Sequence, residues 1–344
     1  MDHKLAWPHG VIATAPSNIA FLKYWGKSDK ANQWPANSSM SMTLDALKTT
    51  TKAWHTNQDD HQVLLGGKTI DRTSSRGQKV FRHLDYLKNY LGAKSYLLIE
   101  SQNSFPADCG IASSASGIAA LTIAACASWL GKSSFEELDK AGFSTKALAQ
   151  LARQGSGSAC RSFFGGFVTW HKGPSWDRQS FTQDFTANHW RLDDTVVMVS
   201  AEEKAISSSL AHELAWSSLL FEPRLASLEE RLGKISKAIA TCNLTSLGEL
   251  LEQEALEMHA VIMTGKSRVS YLTPKSVEIL AWLRYWRKEE NLACYFTIDA
   301  GPNIHILSEP KTTPLLKAAL GKKFPELALL SDSVGEGPTL KAEK

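Results

Sequence analysis

The sequence has few cysteines, and their arrangement disfavours the sites that cysteine usually builds. The five are an odd number, are widely spaced and form no CxxC pair: Cys109, Cys126, Cys160, Cys242 and Cys294. This pattern disfavours both a disulfide framework and a zinc site. The ten histidines contain neither HExxH nor a compact cluster, which disfavours a catalytic metal held by histidine. We therefore expect reduced thiols in a cytoplasmic protein.

Long apolar runs and a strong net charge are also missing. No stretch of about 18 apolar residues occurs, as a membrane span would need, and the first residues lack the apolar core of a signal peptide. The formal net charge is +3, which is too small to indicate nucleic-acid binding. We expect a soluble, untargeted protein without a membrane or nucleic-acid partner, in which local groups bind any anion.

The common nucleotide and hydrolase motifs are absent too. Neither GxxxxGK[ST] nor GxGxxG occurs, and no GxSxG elbow indicates a serine hydrolase. What the chain does contain is four segments in which polar and small residues recur at close spacing. They are residues 18–27 (NIAFLKYWGK), 105–117 (FPADCGIASSASG), 155–161 (GSGSACR) and 296–303 (FTIDAGPN).

The length and the alternation of patterns predict two lobes of mixed α+β structure. A chain of 344 residues with 43% hydrophobic and 21% charged residues exceeds the usual size of a single core. Residues 48–55 and 61–65 alternate like strands, and Gly66-Gly67 supplies a hairpin turn between the second stretch and Lys68. Helical spacing follows at residues 80–91.

The second half of the chain predicts a helix-rich lobe. A buried strand at residues 195–200 precedes a helix with an apolar stripe at 225–239, and Thr273-Pro274 starts another helix. We expect three regions: a nucleotide-binding lobe over residues 1–190, a lobe carrying Asp299 over 191–330, and a flexible polar tail over 331–344.

The serines of residues 110–117 precede an Ala-rich apolar stretch, so we expect them where a helix begins. A helix start presents unpaired N–H groups and the positive end of its dipole. Small residues let phosphate oxygens approach that backbone, while Ser113, Ser114 and Ser116 offer hydroxyls to phosphate or to a metal. The alternative is a capped helix whose small residues permit close packing.

Lysine, arginine and aspartate mark the other three segments. Lys23 and Lys27 converge near a turn at Gly26, although solvated surface lysines would look the same. Arg161 follows two serines and precedes a Phe-rich run, which favours a buried guanidinium that binds a carboxylate over a surface ion pair. Asp299 ends an apolar strand before a tight turn, where it either caps the turn or accepts a proton from an alcohol.

Taken in order, these segments and residues 37–39 (NSS) resemble the mevalonate diphosphate decarboxylase family of the GHMP small-molecule kinase superfamily. The combination of KYWGK, GSGSACR and DAGPN is highly specific. The resemblance implies a two-lobed GHMP-kinase-like fold of the α+β class, with a mixed α/β lobe first and a helix-rich lobe second. It places the active site in the cleft between them and implies a homodimer.

The resemblance also implies ATP-dependent decarboxylation of mevalonate 5-diphosphate to isopentenyl diphosphate, ADP, phosphate and CO2. ATP would be the co-substrate and Mg²⁺ the metal. Three alternatives stay open: a related decarboxylase acting on mevalonate 5-phosphate, a 3-kinase acting on that compound or on mevalonate, and an inactive ligand-binding paralogue.

The resemblance further assigns roles to individual residues. Asp299 would orient or deprotonate the 3-hydroxyl, Lys23 would stabilise charge beside it, and Arg161 would hold the substrate carboxylate. The implied substrate contacts are Tyr24, Trp25, Gly26, Lys27, Arg76, Ser156, Gly157, Ser158, Ala159, Cys160, Arg161 and Ser209. The implied ATP contacts are Asn103, Gly110, Ser113, Ser114, Ser116 and Gly117, and Mg²⁺ would enter with the ATP phosphates, with Ser113 or Ser114 as its candidate protein ligand.

Two departures from the family pattern stand out. Asp108-Cys109 replaces small residues and adds a negative charge near the expected polyphosphate site. In the segment at residues 207–212, Ser209 supplies a hydroxyl where the family more often has threonine, and His212 changes the expected pocket wall.

Overall fold

The computed structural model describes residues 10–105, 113–173, 180–200, 208–266 and 268–343. Within these ranges the chain forms two main β-sheets with helices packed against them. The strands are β1 Val11–Leu22, β2 Lys27–Asp29, β3 Trp34–Pro35, β4 Ser39–Thr56, β5 Gln62–Leu65, β6 Lys68–Thr69, β7 Tyr96–Asn103, β8 Phe167–His171, β9 Ser180–Phe185, β10 Asp193–Met198, β11 Cys294–Thr297, β12 Ile304–Ser308, β13 Ala328–Ser333 and β14 Thr339–Ala342. The helices are α1 Ser75–Leu91, α2 Ser113–Leu130, α3 Phe135–Lys140, α4 Thr145–Gly155, α5 Ser208–Leu214, α6 Phe221–Ala240, α7 Leu244–Thr264, α8 Pro274–Glu290 and α9 Thr313–Lys323, with short 3₁₀ turns at Gly157–Phe163 and Ala215–Ser217.

The first sheet has eight strands, and its long strand β4 organises it. Along one path the order is β14-β1-β4-β7-β5-β6. The first residues of β4 pair with β8, which in turn pairs with β9, whereas its later residues pair with β7. The predicted hairpin between β5 and β6 turns at Gly66 and Gly67, whose φ angles of 58° and 77° are in the left-handed region that glycine adopts readily.

The second sheet has four antiparallel strands in the order β11-β12-β10-β13. Helices α6 and α7 pack on each other, and their apolar faces share a buried cluster with residues of β1, β4 and β10. The predicted stripe on α6 is buried at Leu228, Leu232, Ile235 and Ile239. At the start of α8, Thr273 is the N-cap of a capping box and Pro274 follows it, as the sequence predicts.

Helix α2 runs through the core beside the first sheet. It contacts β1, β4, α1 and α4, and most of its side chains are buried. Because alanines dominate the helix, sheet and neighbouring helices approach it closely from several sides. The beginning of α2 is thereby held firmly relative to the strands that carry the site.

The predicted flexible tail over residues 331–344 is wrong for most of its length. Strand β13 continues to Ser333, and β14 pairs antiparallel with β1, with Val11 opposite Ala342. The ammonium of Lys52 lies 2.7 Å from a carboxylate oxygen of Glu343. An edge strand exposes many of its side chains to water, so a polar composition does not distinguish it from a tail.

No helix in the described part of the chain is both long and apolar enough to cross a membrane.

Candidate active site

The centre of the site is an ion pair between Lys23 and Asp299. Lys23 directly follows β1, Asp299 comes two residues after β11, and the Nζ to Oδ1 distance is 2.6 Å. The lysine side chain is only 2% exposed, whereas the aspartate side chain is 30% exposed. The structure therefore presents the carboxylate to a ligand and keeps the ammonium behind it.

The environment keeps Asp299 ionised. Burial alone would raise the pKa of this carboxyl, but the Lys23 ammonium, followed by His305 and Arg161, holds the pKa below its usual range. Burial lowers the pKa of Lys23, and this effect is opposed by the charges of Asp299 and Glu254. At neutral pH the site therefore offers an anionic oxygen beside a buried cation.

The backbone of Lys23 is fixed by Glu254, which the sequence analysis missed, and by Asn37 of the NSS segment. Glu254 on α7 is fully buried, accepts the Lys23 N–H at 3.0 Å and forms ion pairs with Arg224 and Arg231 of α6. Asn37 donates to the Lys23 carbonyl at 3.0 Å. A glutamate inside an amphipathic helix carries no motif, so only the tertiary structure identifies this contact.

Arg161 is buried, and its partners are neutral. Its Nε donates to Ser41 Oγ at 3.0 Å, its Nη1 to Ser39 Oγ at 2.7 Å and its Nη2 to Asn18 Oδ1 at 3.3 Å. These three hydrogen bonds from described residues orient the guanidinium but do not neutralise it, and burial lowers its pKa. A buried cation held only by neutral oxygens suits an incoming carboxylate.

The turn after Lys23 is built from internal contacts, which corrects Gly26 as a predicted substrate contact and leaves Trp25 a prediction. Gly26 has a φ of 83°, donates its N–H to His212 Nδ1 at 3.2 Å and accepts from the N–H of Ala36 at 3.2 Å. The ring of Trp25 is 2% exposed and packs on His212, with centroids 4.2 Å apart. Both residues shape the turn. The backbone polar groups of Gly26 are used within it, whereas the buried indole N–H of Trp25 has no hydrogen-bond partner among the described residues.

His212 supports this turn from behind and does not form the pocket wall that the sequence analysis predicted. It is 8% exposed, and burial lowers its pKa to about 3. The ring is therefore neutral at physiological pH, and its Nδ1 accepts the Gly26 hydrogen bond. Tyr24 packs between His212 and Trp170, with ring centroids 4.5 and 5.0 Å away.

Tyr24 also contacts residues 155–158 (the GSGS segment), and that contact requires glycine at position 157. A Cβ at Gly157 would lie 2.5 Å from the Tyr24 ring. Ser156 and Ser158 flank this glycine, with their hydroxyl oxygens 3.4 Å apart. The structure thus brings Tyr24 and both predicted serines to one side of the site.

Lys27 lies beside a group of cations. Burial is the largest influence on the pKa of Lys27 and lowers it. The charges of Lys30, Lys79 and Arg82 lower this pKa further, while the charge of Glu213 raises it. Lys79 and Arg82 belong to α1, and the predicted contact Arg76 is exposed at the start of the same helix. A cluster with several cations and one opposing carboxylate favours an anionic ligand.

The start of α2 meets the GSGS segment, as the two predicted phosphate-binding segments would require. Ser114 is exposed in the first turn of α2 and donates to Ser156 Oγ at 3.1 Å. A Cβ at Gly117 would meet no atom of the described residues within 4 Å, so none of them covers this part of the helix surface. The predicted contact Gly110 and the departure Asp108-Cys109 lie outside the described residues. Ser113 lies in α2 and Ser209 in α5, but the side chains of both are outside the described part of the structure.

Ser116 is not available to a nucleotide, contrary to the prediction. Its side chain is fully buried, and its hydroxyl hydrogen-bonds with Thr49 at 2.7 Å and accepts from Ser17 at 3.1 Å. These bonds attach α2 to β1 and β4. Asn103, at the end of β7, accepts from Thr49 at 2.8 Å.

The side chains of Ala159 and Cys160 are likewise directed into the core, which corrects their assignment as substrate contacts. Both are fully buried in the cluster around α2. The thiol of Cys160 donates to the carbonyl of Gly157 at 3.0 Å, and burial raises its pKa to about 12. Any contact of these two residues with a ligand would have to use their backbone.

The donor set fits a magnesium ion that arrives with phosphate groups. Among the described residues no three His, Cys, Asp or Glu side chains converge on one point. The oxygen donors at the start of α2 and in the GSGS segment are serine hydroxyls. Mg²⁺ retains several waters and is commonly bound through substrate phosphates, which requires few protein ligands.

Comparisons with known proteins cover nearly the whole chain. A family model described as "Diphosphomevalonate decarboxylase-like N-terminal domain" matches residues 15–182, and one described as "Mevalonate 5-diphosphate decarboxylase C-terminal domain" matches residues 195–342. The diphosphomevalonate decarboxylase of Candida albicans is 33% identical over 92% of this chain and 89% of its own length. That of Rattus norvegicus is 33% identical over 92% of this chain and 81% of its own length.

Solved structures give the same result. A structure described as MDDEF in complex with MVAPP, AMPPCP and magnesium is 34% identical, covers 97% of this chain and 99% of its own, and has a TM-score of 0.88. The mevalonate diphosphate decarboxylase of Staphylococcus aureus is 32% identical, covers 98% of each chain and has a TM-score of 0.86.

Proposed function

This chain belongs to the mevalonate 5-diphosphate decarboxylase family, and we propose that Lys23, Asp299 and Arg161 carry out its reaction. The reaction is the ATP-dependent decarboxylation of mevalonate 5-diphosphate to isopentenyl diphosphate, ADP, phosphate and CO2. The observation that supports the residue assignment is the 2.6 Å Lys23–Asp299 pair beside a buried arginine held by neutral oxygens.

Asp299 acts on the 3-hydroxyl of the substrate. A tertiary hydroxyl is a poor leaving group, and ATP with Mg²⁺ supplies the phosphoryl group that makes its departure feasible. The carboxylate of Asp299 accepts a hydrogen bond from this hydroxyl and so aims its oxygen. Lys23 stabilises the negative charge that develops beside Asp299 during the transfer.

Arg161 binds the carboxylate that leaves as CO2. Its fork forms charge-assisted hydrogen bonds to both carboxylate oxygens, and Ser39, Ser41 and Asn18 hold the fork in place. Arg161 is only 2% exposed, so water is largely excluded around this group. The electrons of the breaking carbon–carbon bond then move toward C3 as the 3-oxygen departs with its phosphoryl group.

The remaining contacts divide between the two phosphate-bearing ligands. Lys27, Arg76, Tyr24, Ser156 and Ser158 bind the diphosphate end and the body of the substrate. We assign Ser114, Gly117 and Asn103 to the nucleotide, together with Gly110 and Ser113, as the family resemblance implies. The proposal is supported by the Ser114–Ser156 hydrogen bond at 3.1 Å, because it joins one residue of each group.

We also propose that the protein is a homodimer in the cytoplasm. The buried cysteines Cys126, Cys160 and Cys294 are free thiols, which supports a reducing compartment.

Sedimentation of the purified protein tests the dimer, since a single species of about twice the 37.8 kDa chain mass is expected.

A product assay tests the function. Mevalonate, its 5-phosphate and its 5-diphosphate are each incubated with ATP and Mg²⁺, and ADP, phosphate and CO2 are measured. We expect turnover of the 5-diphosphate with equal yields of all three products. ADP without CO2 would identify a kinase, and preferential turnover of the 5-phosphate would identify a related decarboxylase. The Asp299→Asn variant serves as the control for contaminating ATPase activity.

A further inference from the structure

A second buried ion pair lies in the four-stranded sheet and has no part in the mechanism above. His305 Nδ1 is 2.6 Å from Asp194 Oδ2, and the two side chains are 5% and 0% exposed. The other carboxylate oxygen of Asp194 has no hydrogen-bond partner among the described residues. A buried carboxylate with so few other contacts interacts mainly with the histidine, and a buried pair of this kind is expensive to desolvate.

The strand register places His305 between two carboxylates. On β12, His305 is opposite Thr297 of β11 on one side and Val196 of β10 on the other. Asp194 precedes Val196 by two residues of β10, a spacing that returns its side chain to the same face of the strand, where it is diagonal to His305 and within its reach. Asp299 comes two residues after Thr297, just past the end of β11, so the chain that continues from the other cross-strand neighbour of His305 carries the second carboxylate.

The charges alternate along this row. Burial would lower the pKa of His305, but Asp194 and then Asp299 more than offset it, so the pKa lies above its usual value, with Lys23 opposing. In return, His305 is second to Lys23 among the side chains that lower the pKa of Asp299. From one end to the other, the groups are the Asp194 carboxylate, the His305 ring, the Asp299 carboxylate and the Lys23 amine.

Other groups face the two ends of the row. At one end, Asp332 of β13 is opposite Asp194 and accepts backbone N–H groups of residues 45–47. At the other end, Arg161 adds positive charge near Asp299. On α7, His259 hydrogen-bonds to the backbone carbonyl of Asp299 at 3.1 Å and so restrains its main chain.

We propose that His305 is a positioning residue for Asp299, a cation held by Asp194 that draws the Asp299 carboxylate away from exclusive pairing with Lys23. The charge of the Lys23 ammonium is then only partly offset by Asp299, so it can also stabilise negative charge on the substrate. This role rests on the function proposed above, because it assumes that Asp299 acts on the 3-hydroxyl. It also makes activity depend on the protonation of a histidine that contacts no ligand.

The first test measures the coupling without any turnover. Imidazole NMR signals are followed against pH, and the His305 signal is identified by its loss in the His305→Gln variant. We expect a His305 pKa above 6.5 in the wild type and a lower value in Asp299→Asn, because the interaction between two charges is reciprocal. A His305 pKa that does not change in Asp299→Asn would overturn the inference, whatever the activity of the protein.

The second test separates positioning from a merely structural role. For turnover of mevalonate 5-diphosphate, His305→Gln should lower kcat by about 10-fold with little change in KM. In the wild type, kcat should fall as pH rises through the His305 pKa, whereas His305→Gln should be flat over that range. Asp194→Asn should move the fall to lower pH. His305→Lys should restore activity at higher pH, because its charge does not titrate there.

The outcomes distinguish this inference from the proposed function. If the wild type does not decarboxylate the substrate, the proposed function fails, and the NMR coupling still decides whether His305 and Asp299 interact. If the wild type is active but His305→Gln matches its kcat and pH profile, the positioning role is wrong. If His305→Gln does not fold, the Asp194→Asn pH profile decides the question, because a fall in kcat at the same pH as in the wild type would overturn the positioning role.

Discussion

At the scale of single residues, the site is defined by unequal exposure of paired charges. Lys23 is 2% exposed and Asp299 is 30% exposed, so only one partner of the pair can meet a ligand directly. Arg161 is buried among hydroxyl and amide oxygens. In the proposed mechanism, Asp299 therefore contacts the reacting hydroxyl, Arg161 receives a carboxylate, and Lys23 stabilises the charge between them.

Asp299→Asn should lower turnover by about 10²-fold or more while the binding of ATP and substrate changes little. The change preserves the size of the side chain and removes the charge that matters in the transition state. Single-turnover rate and melting temperature are measured on one preparation. The matched control is Asp45→Asn, because Asp45 is an exposed surface residue. A folded, fully active Asn variant would remove Asp299 from the mechanism.

Arg161→Lys should reduce activity by about 10-fold or more. The charge is kept, but the planar fork that reaches both carboxylate oxygens and three neutral partners is lost. The control is Arg191→Lys, because Arg191 is an exposed arginine of the same chain. If the two variants have similar kcat/KM, the substrate carboxylate is bound elsewhere.

The sequence could indicate a residue's place in the site where a motif carries the chemistry. It could not indicate which atoms remain unbonded, because that depends on the folded contacts. The segments around Lys23, Arg161 and Asp299 do converge. Gly26 belongs to the same motif as Lys23, yet its backbone N–H and carbonyl are used by His212 and Ala36. Glu254 is the opposite case, since it clamps Lys23 but looks like any helical glutamate in the sequence.

At the scale of elements, the start of α2 shows how two serines of one motif take different roles. Ser114 is exposed and reaches Ser156, whereas Ser116 is buried against β1 and β4. Residues two apart on a helix point in different directions. Because α2 is largely apolar, its sequence does not reveal which face is open, and only the packing of the helix decides.

Ser114→Phe should weaken ATP binding more than binding of mevalonate 5-diphosphate. A large ring at the helix start would block the approach of phosphate to the backbone N–H groups. Dissociation constants for both ligands are measured, with Ser246→Phe as the control, since Ser246 is an exposed serine in the first turn of α7. Equal ATP affinity in the wild type and Ser114→Phe would mean that the start of α2 serves only in packing and does not bind the nucleotide.

Ser116→Ala should instead lower stability by about 1–3 kcal/mol and leave the ATP dissociation constant unchanged. The substitution leaves the hydroxyls of Ser17 and Thr49 without their buried partner. Urea unfolding and nucleotide titration of this variant check both parts. Weaker ATP binding with unchanged stability would mean that Ser116 contacts the nucleotide after all.

At the scale of the whole molecule, the two-sheet α+β architecture could be predicted because its strands and helices have clear periodicity. The long-range pairings could not. Periodicity does not show that β4 divides its length between β8 and β7, nor that β14 pairs with β1 more than 300 residues earlier. These contacts depend on complementary edges, and the sequence of one strand does not name its partner.

The global stability should fall as pH drops from about 6.5 toward 3. Burial lowers the pKa values of His83 and His212 to about 3, so below pH 6.5 the unfolded chain binds protons that the folded protein does not. Each histidine can contribute a slope of up to about 1.4 kcal/mol per pH unit. Urea unfolding at several pH values should show this slope, and His83→Gln should reduce it. An identical slope in that variant would contradict the assignment.

His305 contributes with the opposite sign. Its pKa is raised in the folded protein, so its stabilisation is fully present below pH 6.5 and is lost as pH rises through the raised value. His305→Gln should therefore flatten the decline in the free energy of unfolding on the alkaline side of pH 6.5. The same urea series checks this, and an unchanged alkaline decline would show that the histidine is not charged in the fold.

The pairing of β14 with β1 has a consequence for the order in which the protein can be made. During synthesis, β1 emerges more than 300 residues before β14, its partner on this edge. The eight-stranded sheet therefore cannot be completed until β14 has left the ribosome, even though most of its strands lie before residue 186. While the residues between these two strands are translated, the nascent chain carries a strand edge that still lacks its β14 partner, and chaperone protection matters most in this interval.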